Sequence, residues 1–383
     1  MELTQEAYHD IIKNVGTRAD LCSLCWVSRG FRSAAEKALY NTVSFGQDNG
    51  TPLLCRTLSN SPRLAALVVA LTISLEDDED DEVSDEDEAA SIASTAILPK
   101  TFWHDIANVL QATSNLHYLH VRVNHSANPA VAWILRRCDF QLRKFHSDFD
   151  WDDELVKFLN NQKLLEDLYL SDYREPKKRD DSADESVVQN LLESKSMPFL
   201  SYLECTFSEA AIAMVPGRPV THLKTCFSRT ELGAKRDEMY DLLSKVALST
   251  CHLHSLDLAD SSYTEQFSTE LLAAITTMRS LTSELRYLGT LVLPVDGQER
   301  LQIYALLRRL PKIRCVEFEV SEWKPQPSSA SAQRALAGEL QLYVPSITRV
   351  VFVLDFDRSV VSTSGHIWRV DLEIATEYLW RHQ

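Results

Sequence analysis

From about Thr42 to Leu354 one pattern of apolar and polar positions recurs along the chain. It reads apolar-x-x-apolar-x-apolar, and most copies follow a stretch with helical spacing. Clear copies fall at Val68/Leu71/Ile73, Leu116/Leu119/Val121, Leu165/Leu168/Leu170, Leu253/Leu256/Leu258, Ile313/Val316/Phe318 and Ile347/Val350/Phe352. Weaker ones fall at Leu142/Phe145/Ser147, Leu200/Leu203/Cys205, Val220/Leu223/Thr225 and Leu285/Leu288/Thr290. The ten copies start 20 to 48 residues apart. DDELVKFLNNQ before LLEDLYL, and YDLLSKVALST before CHLHSLDL, show the helix-like approach, so each unit reads as helix, turn, short strand. Three residues past the last strand apolar stand Asn124, Asp150, Ser208, Ser228, Ser261, Ser321 and Asp355. Such small polar side chains can satisfy backbone groups where the chain leaves a strand, although loops in general favour the same residues.

The first forty residues follow a different period. Leu3, Tyr8, Ile11, Ile12 and Val15 have helical spacing. After Asp20, read as an N-cap, Leu21, Leu24, Val27, Phe31, Ala35 and Ala38 form one apolar stripe. So small a helical set buries little alone and calls for the next domain or a partner. At the other end, HIWRV reads as a last strand and LEIATEYLW as helical, a terminal cap over residues 360–383.

Composition narrows the function classes. Hydrophobic residues make up 45% and charged residues 25% of the 383, ordinary for a globular chain. Net charge is −16, but Glu76–Glu88 alone carries 11 acidic residues in 13 positions, and without it the balance is −5. That sign argues against nucleic acid and anionic membrane surfaces as partners, since both require a basic face. The longest near-apolar run, Leu64–Leu75, is 12 residues, short of the roughly 20 that span a bilayer. MELTQEAYHD lacks the basic and apolar regions of a signal peptide. Eight scattered cysteines suggest reduced thiols and a cytoplasmic or nuclear location.

No glycine-rich phosphate loop, GxSxG or HExxH occurs, and only 10 glycines are present. Cys22-Ser-Leu-Cys25 lacks a second ligand pair and lies inside an apolar helix, which favours packing over zinc or redox use. His117, His120 and His125 cluster on one strand, and His252 and His254 share a face of another, with no third ligand placed. The sequence therefore offers no catalytic residues, no metal and no cofactor. Glu76–Ser94 and Lys177–Ser186 read as polar insertions. Ser84, within VSDEDE, is a candidate phosphorylation site, where phosphate would add nearly two negative charges.

The N-terminal residues carry a family resemblance. Leu3-Thr4-Gln5-Glu6, then Tyr8, Ile11 and Ile12, followed by Asp20-Leu21, Leu24 and Val27-Ser28-Arg29-Gly30-Phe31, resemble an F-box, with Thr4 in place of the family's proline. VSRGFRSAAEKALY looks like fungal F-box proteins with degenerate leucine-rich repeats. The resemblance implies an F-box-like segment over 1–41, a leucine-rich-repeat-like α/β solenoid (a horseshoe) over 42–359 with the acidic insertion at 76–94, and the cap over 360–383. It also implies a substrate receptor that docks a Skp-type adaptor of a cullin–RING ubiquitin ligase. By position, Leu3, Glu6, Ile11, Leu21, Leu24, Val27 and Phe31 are the docking or packing residues. In the alternative reading they form the internal core of an N-terminal cap, and the chain is a repeat scaffold unconnected to ubiquitination.

In a horseshoe, the residues between the strand apolars line the concave face. Here they are Tyr118, His120, Arg122, Lys144, His146, Tyr169, Tyr202, His222 and Lys224, with smaller or acidic Ser255, Asp257, Glu317 and Glu319 in flanking units. A basic and aromatic stripe on an acidic chain suggests an acidic or phosphorylated target protein. It suggests equally the chain's own Glu76–Glu88 run, or an ordinary mixed surface.

Overall fold

The structure, a computed structural model, describes residues 4–46, 50–75, 101–123, 131–171, 192–260, 262–364, 367–371 and 374–382. Leu3, Ser84, Asn124, Ser261, the acidic run and the insertion Lys177–Ser186 lie outside them. The described residues fall into two compact units, one ending at Leu165 and the other starting at Glu166.

The first unit opens with α1 (Gln5–Lys13), α2 (Arg18–Leu24) and α3 (Arg29–Tyr40). Each begins at a hydroxyl that accepts a backbone N–H of its first turn: Thr4 from Ala7, Thr17 from Asp20, Ser28 from Phe31. Asp20 is therefore not the cap that the sequence suggests. It sits one turn inside, where its carboxylate accepts from the Thr17 hydroxyl at 2.7 Å. The Ser28 cap divides the single stripe of the sequence reading into two helices. Ile12, Leu21, Ala34 and Ala35 make a small core, joined by Tyr8, Leu24, Cys25 and Phe31. Tyr8 meets Phe31 edge-on at 4.8 Å. Its ring lies so close over Gly30 that a Cβ there would fall 2.4 Å from it, so α3 accepts a glycine.

Four strands follow: β1 (Thr42–Phe45), β2 (Ala70–Ser74), β3 (Tyr118–Arg122) and β4 (Lys144–Ser147). They pair in parallel in chain order. Between and beyond them come α4 (Thr51–Asn60), α5 (Pro62–Ala65), α6 (Phe102–Ala112), a 3₁₀ turn at Ala132–Leu135 and α7 (Asp153–Asn161). Register puts Val43, Leu71, Leu119 and Phe145 in one row, and Phe45, Ile73, Val121 and Ser147 in another. All eight are buried. Period-2 alternation then sends the intervening residues to the opposite face.

In the second unit β5 (Asp167–Leu170), β6 (Tyr202–Cys205), β7 (His222–Cys226), β8 (Ser255–Ala259), β9 (Tyr287–Val292), β10 (Cys315–Glu319) and β11 (Arg349–Leu354) also pair in parallel in chain order. The connections carry α8 (Ser208–Met214), α9 (Leu232–Val246), α10 (Glu265–Thr277), α11 (Arg279–Thr282), α12 (Gly297–Leu307) and α13 (Ala330–Tyr343). Leu168, Leu203, Leu223, Leu256, Leu288, Val316 and Val350 line up as the buried inner row. The second apolar row departs from the sequence reading at β9. An irregularity there pairs Phe318 with Leu291, not with Thr290. Beyond β11 the chain reverses into antiparallel β12 (Asp357–Ser364) and β13 (Ile367–Asp371), and a 3₁₀ segment, Thr376–Arg381, follows.

Several polar exit residues act as the sequence suggests. Ser228 donates its amide to Glu238 and its hydroxyl to Glu209 and Glu238, and Glu238 also accepts from the Ser208 hydroxyl. The Asp355 amide donates to the Ser321 hydroxyl at 2.7 Å. Neighbouring exits are thus tied by side chains, and backbone groups leaving the strands find partners.

Candidate interaction surfaces

The N-terminal helices divide the residues singled out by the resemblance. Leu21 is buried, while Leu24 and Phe31 pack against the same core. These three serve the internal structure of the segment. Glu6 and Ile11 on α1 and Val27 after α2 are exposed, Val27 at 63%. Trp26, which the sequence reading passes over, is 84% exposed beside it. The Arg32 guanidinium stands 5.9 Å from the Trp26 ring centre, and its Nε donates to the Cys25 carbonyl at 3.1 Å. Val27 keeps the spacing of the apolar stripe in the sequence, and it is the end of α2 at Leu24 and the Ser28 cap of α3 that take Trp26 and Val27 off the buried face. Cys22 is exposed on α2 and Cys25 is its half-buried C-cap, both as free thiols. Burial, with Glu36 nearby, pushes the Cys25 thiol up.

The sheet face of the first unit presents the outward rows. Tyr118 pairs in register with Lys144, His120 with His146, and Ser74 with Arg122. Tyr118, Arg122 and Lys144 are exposed, and the two histidines are half-buried with rings 5.9 Å apart. Five of the residues expected to line a ligand face therefore stand together on two adjacent strands. Their neighbours on β1 and β2 are the small Thr42, Ser44, Ala70 and Thr72.

The corresponding face of the second unit is different. His222 is buried and Tyr169, Tyr202 and Lys224 are half-buried. Ser255, Asp257 and Glu317, read from the sequence as surface residues, are buried too. The reason is the 3₁₀ segment Thr376–Arg381, which packs on β7, β8 and β9. Its Leu379 and Trp380 join Tyr287, Cys315, Val351 and Val360 in one apolar cluster, with Tyr202 against it. In the region read from the sequence as a terminal cap, β12 and β13 extend the sheet edge and Thr376–Arg381 lies on the sheet face.

Charge accompanies this closure. Arg381 donates to Asp167 at 2.7 Å and to Glu204 at 3.0 Å, a forked contact from one guanidinium to two strands. It also lies 5.8 Å from the Tyr202 ring centre. Burial works against the Arg381 charge, but Asp167 and Glu204 outweigh it and hold its pKa above the ordinary value. Lys224 reaches Glu204 at 3.0 Å. Arg358, from β12, donates to Glu317 at 3.2 Å, and Glu317 also accepts from Tyr287 and Thr290. Asp257 lies beneath this layer, against Gly289, where a Cβ would fall 2.3 Å from its carboxylate. Burial and the neighbouring Glu317 push its carboxyl up to about 7, against the pull of Lys224 and Arg358.

Elsewhere the chemistry is structural. Buried Lys235 is paired to Asp260 at 2.7 Å and also donates to Ser262, while buried Arg218 donates to the carbonyls of Glu193, Met214 and Ser196. Among the described residues there is no His/Cys/Asp/Glu group placed to hold a metal ion. No helix among them is long and apolar enough to cross a membrane. A cavity of about 100 Å³ between Val246–Leu253 and Ser280–Leu281 contains Cys251 and His252. The chain matches no protein-family model and no curated protein.

Proposed function

We propose that the chain is a non-catalytic adaptor, a leucine-rich-repeat-like solenoid that serves as the substrate receptor of a cullin–RING ubiquitin ligase. In this reading the N-terminal helices dock the Skp-type adaptor. The exposed sheet face of the first unit, with Tyr118, Arg122 and Lys144, holds an acidic or phosphorylated segment of a target protein.

One observation carries the reading. The three N-terminal helices complete a core of their own and still leave Ile11, Trp26 and Val27 exposed, the last two at 84% and 63%. A large aromatic beside an aliphatic at a helix junction is the kind of anchor that a partner pocket buries. Glu6, Ile11, Trp26 and Val27 are thus the docking residues of this account. Support for the repeat architecture comes from the parallel, chain-order pairing of strands within each unit, with helices in the connections.

The test is co-purification of the full-length chain with the Skp-type adaptor, beside a Trp26→Asp, Val27→Asp variant with an unchanged circular dichroism spectrum. Stoichiometric binding that the variant loses supports the receptor reading. A wild-type chain that fails to bind rejects it. The use of Leu21, Leu24 and Phe31 inside the helical core favours a second reading, a scaffold with an N-terminal cap, and that reading would then lead.

A further inference from the structure

The outer sheet face of the second unit is covered by a segment of the same chain, Leu379-Trp380-Arg381. Four carboxylates, Asp167, Glu204, Asp257 and Glu317, come from β5, β6, β8 and β10 and all lie on the face away from the inner leucine row. Tyr202 and Tyr287 stand beside them. Within the sheet Lys224 and, from β12, Arg358 offset part of these charges through contacts at 3.0 and 3.2 Å. A further counter-charge is Arg381, delivered by a segment that lies 214 residues away from Asp167 in the chain.

The fit of that segment is uneven. Arg381 is well matched, held by two carboxylates and an aromatic face. Trp380 is 1% exposed, yet its indole N–H is buried with no hydrogen-bond partner among the described residues. An unpaired buried donor is a standing penalty that a segment with better geometry escapes. The segment is also a 3₁₀ helix of six residues, with poorer hydrogen-bond geometry than an α-helix. Charge pairs that are strong in one place and a donor left unpaired in another describe a bound ligand more than a fixed element of the core.

We infer that the sheet face of the second unit is a docking site for a short basic–aromatic segment of a partner protein, an aromatic residue followed by arginine, and that Leu379-Trp380-Arg381 occupies it as a tethered competitor. The inference goes beyond the receptor reading and stands whether or not the N-terminal helices bind an adaptor. It also reverses, for this unit, the expectation of an acidic ligand. A tether of this kind presents its motif at an effective concentration on the order of millimolar, so partner binding is suppressed until the partner outcompetes it.

The experiment uses the full chain and a fluorescent synthetic peptide of residues 374–383, followed by anisotropy. The wild type is expected to bind the peptide weakly. Arg381→Gln, which loosens the tethered copy and leaves Trp380 in place, is expected to bind it at least about tenfold more tightly. Adding Asp167→Asn and Glu204→Gln to that variant is expected to reverse the gain. A folded Arg381→Gln chain that binds no better than the wild type, or binding indifferent to the two carboxylates, would overturn the proposal. So would a concentration-dependent doubling of mass of the wild type, because the occupant would then be the tail of a second copy. Hydrogen exchange on the wild type gives an answer even where the variant fails to fold. Excess peptide should speed exchange of the His382 amide, which donates to the Leu379 carbonyl, and leave β8 unchanged. Exchange there that tracks only the β8 rate contradicts a displaceable segment.

Discussion

The two sheet faces make an instructive pair. Both come from the same helix–turn–strand pattern, both have parallel strands paired in chain order, and both bury a row of aliphatic residues on the inner side. On the outer side they diverge. In the first unit Tyr118, Arg122 and Lys144 are exposed and the set is basic and aromatic. In the second, β8 and β9 are buried at nearly every position and the charged residues are mainly acidic, closed over by Leu379, Trp380 and Arg381. Period-2 alternation therefore assigns a residue to a face, but solvent reaches that face only if no other segment covers it.

The comparison breaks most easily at Trp380. Truncating a fully buried indole leaves a cavity, so Trp380→Ala should cost about 3–5 kcal/mol in denaturant unfolding. A loss below about 1 kcal/mol would mean that the face is not closed in solution. Next comes Arg381→Ala, which leaves Asp167 and Glu204 without the forked contact while Lys224 still reaches Glu204. It should cost roughly 3 kcal/mol, as for one partner removed from a largely buried pair. Rescue by replacing Asp167 with Asn in the same chain would tie the loss to the stranded charge.

A pH effect sharpens the contrast. The Asp257 carboxyl holds its proton more tightly in the folded chain, to about 7, than the ordinary carboxylate value near 3.8. Its contribution to stability is therefore fully present below the ordinary value and is lost as pH rises through about 7, on the order of 4 kcal/mol. Asp257→Asn should flatten the stability profile between pH 4 and pH 8, and an unchanged slope would show that other groups set it. The smallest effect belongs to the first unit. Arg122→Glu with Lys144→Glu should change stability by less than about 0.5 kcal/mol each, as exposed substitutions do, and should abolish binding of an acidic target peptide.

Much of the fold was legible in the chain. The strands β2 to β8, β10 and β11 lie on the apolar triads because each triad places two inward residues at period 2. Thr42–Phe45 escaped because TVSF has only two apolar residues and no upstream helix of the repeat kind. The β9 register was missed because an irregularity carries no apolar mark: Thr290 stands where alternation expects an inward residue, and its hydroxyl instead donates to Glu317. At the N-terminus, composition alone could not tell Leu21, which the helices keep for themselves, from Trp26 and Val27, which they expose. That choice depends on the Ser28 cap, which ends one helical face and begins another. The closure of the second face was illegible for a different reason. Asp167 and Arg381 meet across 214 positions, and nothing local in Asp-Leu-Tyr-Leu or Leu-Trp-Arg announces the partner.

Side-chain oxidation by hydroxyl radicals, read residue by residue in the full-length chain, tests the contrast between covered and open surfaces most directly. Trp26 and Tyr118, 84% and 40% exposed, should be modified quickly, while Trp380 and Tyr287, each 1% exposed, should be protected until Arg381 is replaced. Oxidation of Trp380 at the rate of Trp26 in the wild-type chain would contradict the covered face and the tethered occupant together.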